Sequence, residues 1–365
     1  MIKQQQIVII IISMTIFLSC GSHKPQFEGV PFEKHETLDN TGFTQQRLDS
    51  LTNYLKNNLE TTGMVILKDG KILYEYGDIN EVGYIASCRK SVLSMLYGKY
   101  VENGVINLNQ KIGEIGIDED KGLLEIEKTA TINNIITSRS GVFYEPANGG
   151  YDENNILERG SVKPGSYFVY NNWDFNVAGA ILEMKSGKTV YQEIEEQLAI
   201  PLGFQDWNIK NQKEKYNKSK SRYPAHHMYL STRDMAKIGQ LMLNKGEWNG
   251  KQIISKNWID KITTTVTPTE IVNKRYGLNE SSPFQFSYGY MWWLADNFKQ
   301  HPDFEGAYTA HGWGGQFITV IPKLKIVVTH KYKVPTLVNW GLKPGGVSND
   351  AFWQLLYVFV TTNNN

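Results

Sequence analysis

Cysteine is the scarcest residue in this chain, with only Cys20 and Cys88 among 365 residues. That is too few for the disulfide framework that staples small secreted domains. An excess of either charge is also missing, since 38 Lys and Arg face 37 Asp and Glu. A net charge of +1 leaves no electrostatic case for a nucleic-acid partner. No segment repeats, none is of low complexity, and past Cys20 no apolar run reaches the ~20 residues of a membrane span. What is plentiful is apolar and aromatic surface, 41% and 12% of residues, with nine Trp and twenty Tyr. Such a chain buries a large core, as one big domain or two intimately joined ones. The aromatic content favours an extracytoplasmic enzyme or a sugar- or peptide-binding surface.

The first apolar run reads as a targeting segment. Lys3 supplies charge, Ile7 to Ile12 and Met14 to Leu18 supply the apolar stretch, and Ser19 is a small residue before Cys20. Leu18-Ser19-Cys20-Gly21 resembles a bacterial lipobox, which implies that Cys20 carries a lipid anchor. The expected division is a signal peptide over 1–19, a lipidated tether over 20–42 and one domain over 43–365. The protein would then sit in the bacterial cell envelope, facing the periplasm or the outside. Lipidation of Cys20 would leave Cys88 alone, as a small packing residue on a helix.

Periodicity sketches the domain. Leu48, Leu51, Leu55 and Leu59 mark an amphipathic helix. Met64 to Leu67, an Asp69-Gly70 turn and Ile72 to Tyr76 predict a hairpin. Val92, Leu93, Leu96, Tyr97, Tyr100 and Val101 predict a helix that buries one stripe and closes at Asn103-Gly104. From about 105 to 260 the pattern is mostly helical, and the Lys213 to Lys220 run reads as a solvated loop. Gln316 to Ile321, a turn over 322–325 and Ile326 to Thr329 predict a late hairpin. A last helix, with Ser348 as candidate cap, runs through Phe352, Leu355, Leu356 and Phe359. The fold class is therefore α+β: an antiparallel sheet built from both termini (about 43–85 and 285–365), flanked by helices, beside a mostly helical region at about 86–284.

Three groups carry the chemistry. Ser87 and Lys90 stand three apart at the head of a helix, so they share a face. Burial would strip hydration from the Lys90 ammonium, lower its pKa and make it a base for the Ser87 hydroxyl. Tyr170 and Asn172 follow a Pro164-Gly165 turn. A phenol whose pKa is lowered by a nearby ammonium can shuttle protons, and an amide can bind a substrate carbonyl, although Asn172 could equally cap the next helix. His311-Gly312-Trp313-Gly314-Gly315 opens the late hairpin, where glycines admit a ligand close to the strand edge and a backbone N–H can serve an oxyanion hole.

Ser87-x-x-Lys90, Tyr170-x-Asn172 and the Gly-rich strand opening, in that order, resemble the serine β-lactamase and penicillin-binding-protein superfamily. The likeness is greatest to the class C-like branch, which includes carboxylesterases and 6-aminohexanoate-dimer hydrolases. It implies attack by Ser87 with Lys90 and Tyr170 relaying the proton, an oxyanion hole from the N–H groups of Ser87 and Trp313, and substrate contacts from Asn172, His311, Gly312 and Gly314. It implies no metal and no organic cofactor. The pair His226-His227 is read as structural or cleft-lining, because adjacent residues point apart and no carboxylate stands beside them at ligand spacing.

One departure shapes the expected substrate. β-Lactamases and transpeptidases carry Lys-Thr-Gly or Lys-Ser-Gly on the late strand, where ammonium and hydroxyl bind a substrate carboxylate. Here His311-Gly312-Trp313 stands instead. The leading expectation is a monomeric hydrolase of small esters, amides or peptides that acts through an acyl-serine. Behind it stand a β-lactamase or D-Ala-D-Ala-type peptidase, then a non-catalytic sensor domain. Trp313, Trp292 and Trp293 suggest an apolar pocket, with core packing an equal explanation for the last two.

Overall fold

The computed structural model describes residues 29–150, 152–276, 285–295, 298, 301–334 and 345–361. The expected targeting segment and Cys20 lie outside the described residues. Among those described, no helix is long and apolar enough to cross a membrane.

Along the chain, α1 (Gln45–Asn58) starts at Thr44, whose hydroxyl accepts the Arg47 N–H. It buries Leu48, Leu51 and Leu55, a burial worth about 1.5–3 kcal/mol per side chain. Strands β1 (Gly63–Lys68) and β2 (Lys71–Gly77) follow. Their turn puts Asp69 at φ 52° and Gly70 at φ 80°, the twisted two-residue geometry for which Asp-Gly is suited. After β3 (Gly83–Tyr84) come α2 (Cys88–Glu102), α3 (Ile132–Ile136), α4 (Asn172–Ser186), α5 (Val190–Ile194) and α6 (Ile200–Leu202). Then come β4 (Lys213–Lys215), β5 (Ala225–His227), β6 (Tyr229–Leu230), α7 (Thr232–Leu243), β7 (Glu247–Trp248), β8 (Lys251–Gln252), α8 (Lys256–Ile262) and α9 (Thr269–Tyr276). The C-terminal part supplies β9 (Ser287–Tyr288), β10 (Trp293–Leu294), β11 (Tyr308–Gly312), β12 (Gln316–Ile321), β13 (Ile326–Lys331) and α10 (Asn349–Thr361). Ser348 caps α10, accepting the Ala351 N–H at 3.1 Å.

The main sheet has seven antiparallel strands in the order β2-β1-β13-β12-β11-β10-β9. Its centre joins the two ends of the chain, with Gly63 opposite Lys331 and Lys68 opposite Ile326. Period-two alternation sorts β1 between two layers. Met64 and Ile66 pack with Leu55 of α1 and Phe352 of α10, whereas Val65 and Leu67 pack with Ala236 of α7. Gly239 lets α7 lie close, since a Cβ there would come within 2.4 Å of Val327.

Three expectations need correction. Helix α2 does not bury one stripe; every residue from Cys88 to Gly98 is buried, because the helix runs between the sheet and the helices α4 and α8. A helix enclosed on all sides loses its amphipathic signature, and its polar side chains are held inside the protein. Residues 30–35, expected within a tether over 20–42, are bonded to the domain. Val30 N–H donates to the Gly203 carbonyl at 2.9 Å, and Glu33 and His35 bond the backbone of Ile72 on the edge strand β2. The Lys213 to Lys220 run, finally, is partly a strand, with β4 paired to β5.

Candidate active site

Ser87 occupies the N-cap position of α2, yet its side chain caps no backbone N–H. The residue before it, Ala86, takes φ 48°, a left-handed conformation that costs a residue with a Cβ about 1–3 kcal/mol. That sharp entry delivers the hydroxyl to a cavity instead of to the helix end. One turn on, Lys90 is 1% exposed, and its Nζ has no hydrogen-bond partner among the described residues. Nζ lies over the faces of Tyr170 and Phe175, 3.9 and 4.2 Å from their centroids. Burial, reinforced by the charge of Arg89, pushes the Lys90 pKa well below that of an ordinary lysine. Burial thus favours the neutral amine, with a lone pair to offer.

Tyr170 is presented by a loop that a second segment clamps. Arg139 Nε and Nη2 both donate to the Gly165 carbonyl, at 2.9 and 2.7 Å, while Nη1 reaches Thr267. Ser138 Oγ donates to the Val169 carbonyl at 2.9 Å. Asn171 Nδ2 donates to the Tyr144 carbonyl at 3.1 Å, and its Oδ1 accepts the Trp173 N–H. Asn171, not Asn172, is therefore the cap of α4. Tyr170 faces the same cavity as Ser87, and burial, which outweighs the lowering influence of the Ser87 hydroxyl, drives the phenol pKa above its ordinary value. This reverses the expected lowering by an ammonium: burial dominates, and Lys90 is not among the groups that shift the phenol.

The third group arrives on β11. Gly312 sits against the head of α2, where a Cβ would stand 2.6 Å from the Ile85 carbonyl and 3.1 Å from the Ser87 nitrogen. Only glycine allows the strand end that close, and Trp313, next along the chain, lines the same cavity as Ser87. His311 stacks on Phe317 with centroids 4.9 Å apart. Its pKa is lowered to about 4, chiefly by burial, so it is uncharged at neutral pH.

Ser87, Tyr170, His311 and Trp313 share one cavity of about 500 Å³. Trp293 lines it too and packs on Tyr170 at 5.4 Å, whereas Trp292 is fully buried against Tyr308. The two adjacent tryptophans thus divide between pocket and core, as alternating strand residues do. Val272, Tyr276, Phe286, Thr309, Asn349 and Asp350 complete the lining. Sequence reasoning missed these six, because nothing in their local pattern points to a common site.

Two proposed substrate contacts fall elsewhere. Asn172 Nδ2 donates to the Gly149 carbonyl at 2.7 Å and so supports a loop. Gly314 accepts the Val347 N–H and packs on Tyr332. The histidine pair does point apart: His227 stacks on Tyr84 at 4.4 Å. His226, however, faces the carboxylates of Glu183 and Glu214, which contradicts the expectation that none accompanies it.

Residues 49–330 match the Beta-lactamase family. The chain belongs to that family. The match spans the sheet, α2 with Ser87 and Lys90, the Tyr170 loop and the β11–β12 hairpin, and the members are serine hydrolases. A protein of Alkalihalophilus pseudofirmus with no assigned role is 22% identical over 269 residues, 68% of this chain and 73% of that one. A candidate 6-aminohexanoate-dimer hydrolase from Bacillus anthracis superposes with a TM-score of 0.64 at 21% identity, covering 91% of this chain and 86% of the other. A mutant simvastatin synthase from Aspergillus terreus gives 0.62 at 14% identity, covering 86% and 92%. At these identities the structural likeness speaks for the β-lactamase/transpeptidase-like fold.

Proposed function

We propose that this β-lactamase-family protein hydrolyses an uncharged ester or amide through an acyl-serine at Ser87. The observation that carries the reading is the buried Lys90 amine, unpartnered, lying over the Tyr170 ring and one turn from Ser87, which shares a cavity with Tyr170. An amine kept neutral by burial takes a proton at neutral pH, which a solvated lysine does not. As Ser87 Oγ attacks the carbonyl carbon, its proton passes to Lys90, with Tyr170 as the relay. The N–H groups of Ser87 and Trp313 receive the oxyanion. The intermediate collapses, the alcohol or amine leaves with the proton, and water releases the acid by the reverse route.

The cavity favours substrates without a carboxylate. His311 is neutral, Gly312 has no hydroxyl, and Asp350 adds a carboxylate to the lining, so an anion finds repulsion where an ammonium would attract it. Aromatic walls from Tyr276, Phe286 and Trp293 suit an apolar acyl or leaving group. Fluorophosphonate should add once to the wild type and not to Ser87→Ala, by intact-protein mass spectrometry. Nitrophenyl esters should be cleaved with far higher kcat/KM than nitrocefin or a D-Ala-D-Ala peptide. Labelling that survives Ser87→Ala would sink the mechanism, and efficient nitrocefin turnover would sink the substrate assignment.

A further inference from the structure

We infer that Glu183, Glu214 and His226 form a binding site for one divalent transition-metal ion of the zinc type, outside the cavity that Ser87 faces. Glu214 and His226 are direct cross-strand partners in the β4–β5 hairpin, so their side chains share a face. Glu183 comes up from α4 to the same point. His226 Nε2 is 3.3 Å from Glu183 Oε1 and 3.8 Å from Glu214 Oε1, and the three ligand atoms lie within 4.8 Å of one another. Tetrahedral zinc with bonds of about 2.0–2.1 Å holds its ligands about 3.3–3.4 Å apart, so a small inward movement of Glu214 completes the geometry.

The histidine supplies an observation independent of the carboxylates. His226 is fully buried, its Nδ1 has no hydrogen-bond partner, and its Nε2 has only the ion-pair contacts to Glu183 and Glu214, without hydrogen-bond geometry. Buried imidazoles are normally satisfied, and an orphan aimed at two carboxylates asks for a ligand. The Tyr191 hydroxyl is orphaned as well, with its ring centroid 6.1 Å from that of His226. A water on the metal's fourth position would give it a partner. Glu183 is oriented in advance, since its Oε1 accepts the Val190 N–H at 2.9 Å, as supporting bonds orient metal ligands elsewhere.

The donor set selects the ion. Calcium requires six to eight oxygens and magnesium an octahedron with several waters, whereas one imidazole and two carboxylates suit zinc. Bound there, the ion would pin the β4–β5 hairpin to α4. Both elements touch the candidate active site indirectly: α4 begins two residues after Tyr170, and His227 stacks on Tyr84 ahead of Ser87. The role is a structural clamp on the helical side of the site.

The test is to titrate chelator-stripped protein with Co2+ and then Zn2+. One Co2+ per chain should bind with the intense visible absorption of tetrahedral cobalt, Zn2+ should displace it, and Zn2+ should raise Tm. Glu214→Gln, a partly exposed change that leaves the buried packing intact, should weaken binding about tenfold or more. His226→Gln should abolish the tetrahedral spectrum. No uptake, equal uptake by wild type and Glu214→Gln, or a Tm rise as large with Ca2+ or Mg2+ would each overturn the site.

Discussion

The two walls of the cavity are built on different principles. The reacting wall is short-range: Ser87 and Lys90 share one helical turn, and Tyr170 sits on a loop held by Arg139, Ser138 and Asn171. The opposite wall is gathered from Val272 and Tyr276 of α9, Phe286, Trp293 and Thr309 of the sheet edge, and Asn349 and Asp350 at the head of α10. On the first wall, burial tunes protonation states; on the second, shape and one carboxylate select what enters. Under the proposed function, reaction type and substrate choice are thus separable. Changes to the first wall should act on kcat, and changes to the second on KM and on the ranking of substrates.

The sharpest break of that comparison is at the reacting wall. Ser87→Ala should lower ester turnover by about 10⁴-fold or more. Lys90→Met should lose nearly as much, because a similar volume replaces the base. Stability should move the other way. Lys90 Nζ is buried without a partner, and exchanging such a group for an apolar one is commonly neutral or stabilising. A thermal melt should therefore show Lys90→Met at or above the wild-type Tm. A large loss of Tm with residual activity would mean that Lys90 is structural and not the base.

Next in size is Gly312→Val, where the two walls meet. The new Cβ would run into the Ile85 carbonyl and approach the Ser87 nitrogen. The strand end must retreat and carry the Trp313 N–H with it. Overpacking of this kind costs about 1–3 kcal/mol, and a displaced oxyanion donor lowers kcat about 10²- to 10³-fold. Stopped-flow acylation should show the loss in kcat with KM little changed. An unchanged acylation rate would remove this strand end from the oxyanion hole.

The same division explains what the sequence disclosed. The Asp69-Gly70 hairpin, the Ser348 cap and the S-x-x-K turn are governed by contacts a few residues apart, and each stands where patterning put it. The sheet formed from both termini was legible because its central strands are short apolar runs bounded by turns and buried on both faces. Helix α2 misled because a helix buried on all sides has no polar face to report. Asn172 and Gly314 misled because a motif fixes the backbone path, while neighbours such as Gly149 and Val347 decide where the polar groups turn. The Glu183–Glu214–His226 group was invisible for a simpler reason. Its members are 31 and 12 residues apart, and only the β4–β5 register and α4 bring them together.

A smaller effect belongs to the recognition wall. Asp350→Asn removes the carboxylate from the lining. A like-charge contact near a protein surface amounts to about 1 kcal/mol after solvent screening. Neutral nitrophenyl esters should be cleaved about as before, while an ester bearing a carboxylate should gain about fivefold in kcat/KM. Equal effects on both substrates would show that Asp350 acts through packing and not through charge.

The smallest expected effect, and the most discriminating, is at His311. Its pKa falls from 6.5 to about 4, chiefly through burial. Because the folded value lies below the unfolded one, the associated stability is complete above 6.5 and is lost as pH drops through about 4. Between about pH 5 and about pH 8 the imidazole stays neutral, the range in which an ordinary histidine would change charge. His311→Gln should therefore leave the shape of the kcat/KM profile in that range unchanged and alter its height less than about threefold. An acid limb belonging to Lys90 should remain in place, because the amine must be neutral to accept the Ser87 proton. A limb near 6.5 that vanishes in His311→Gln would show an imidazolium in the cavity. That cation could stand in for an ammonium, and carboxylate-bearing substrates would then return to first place.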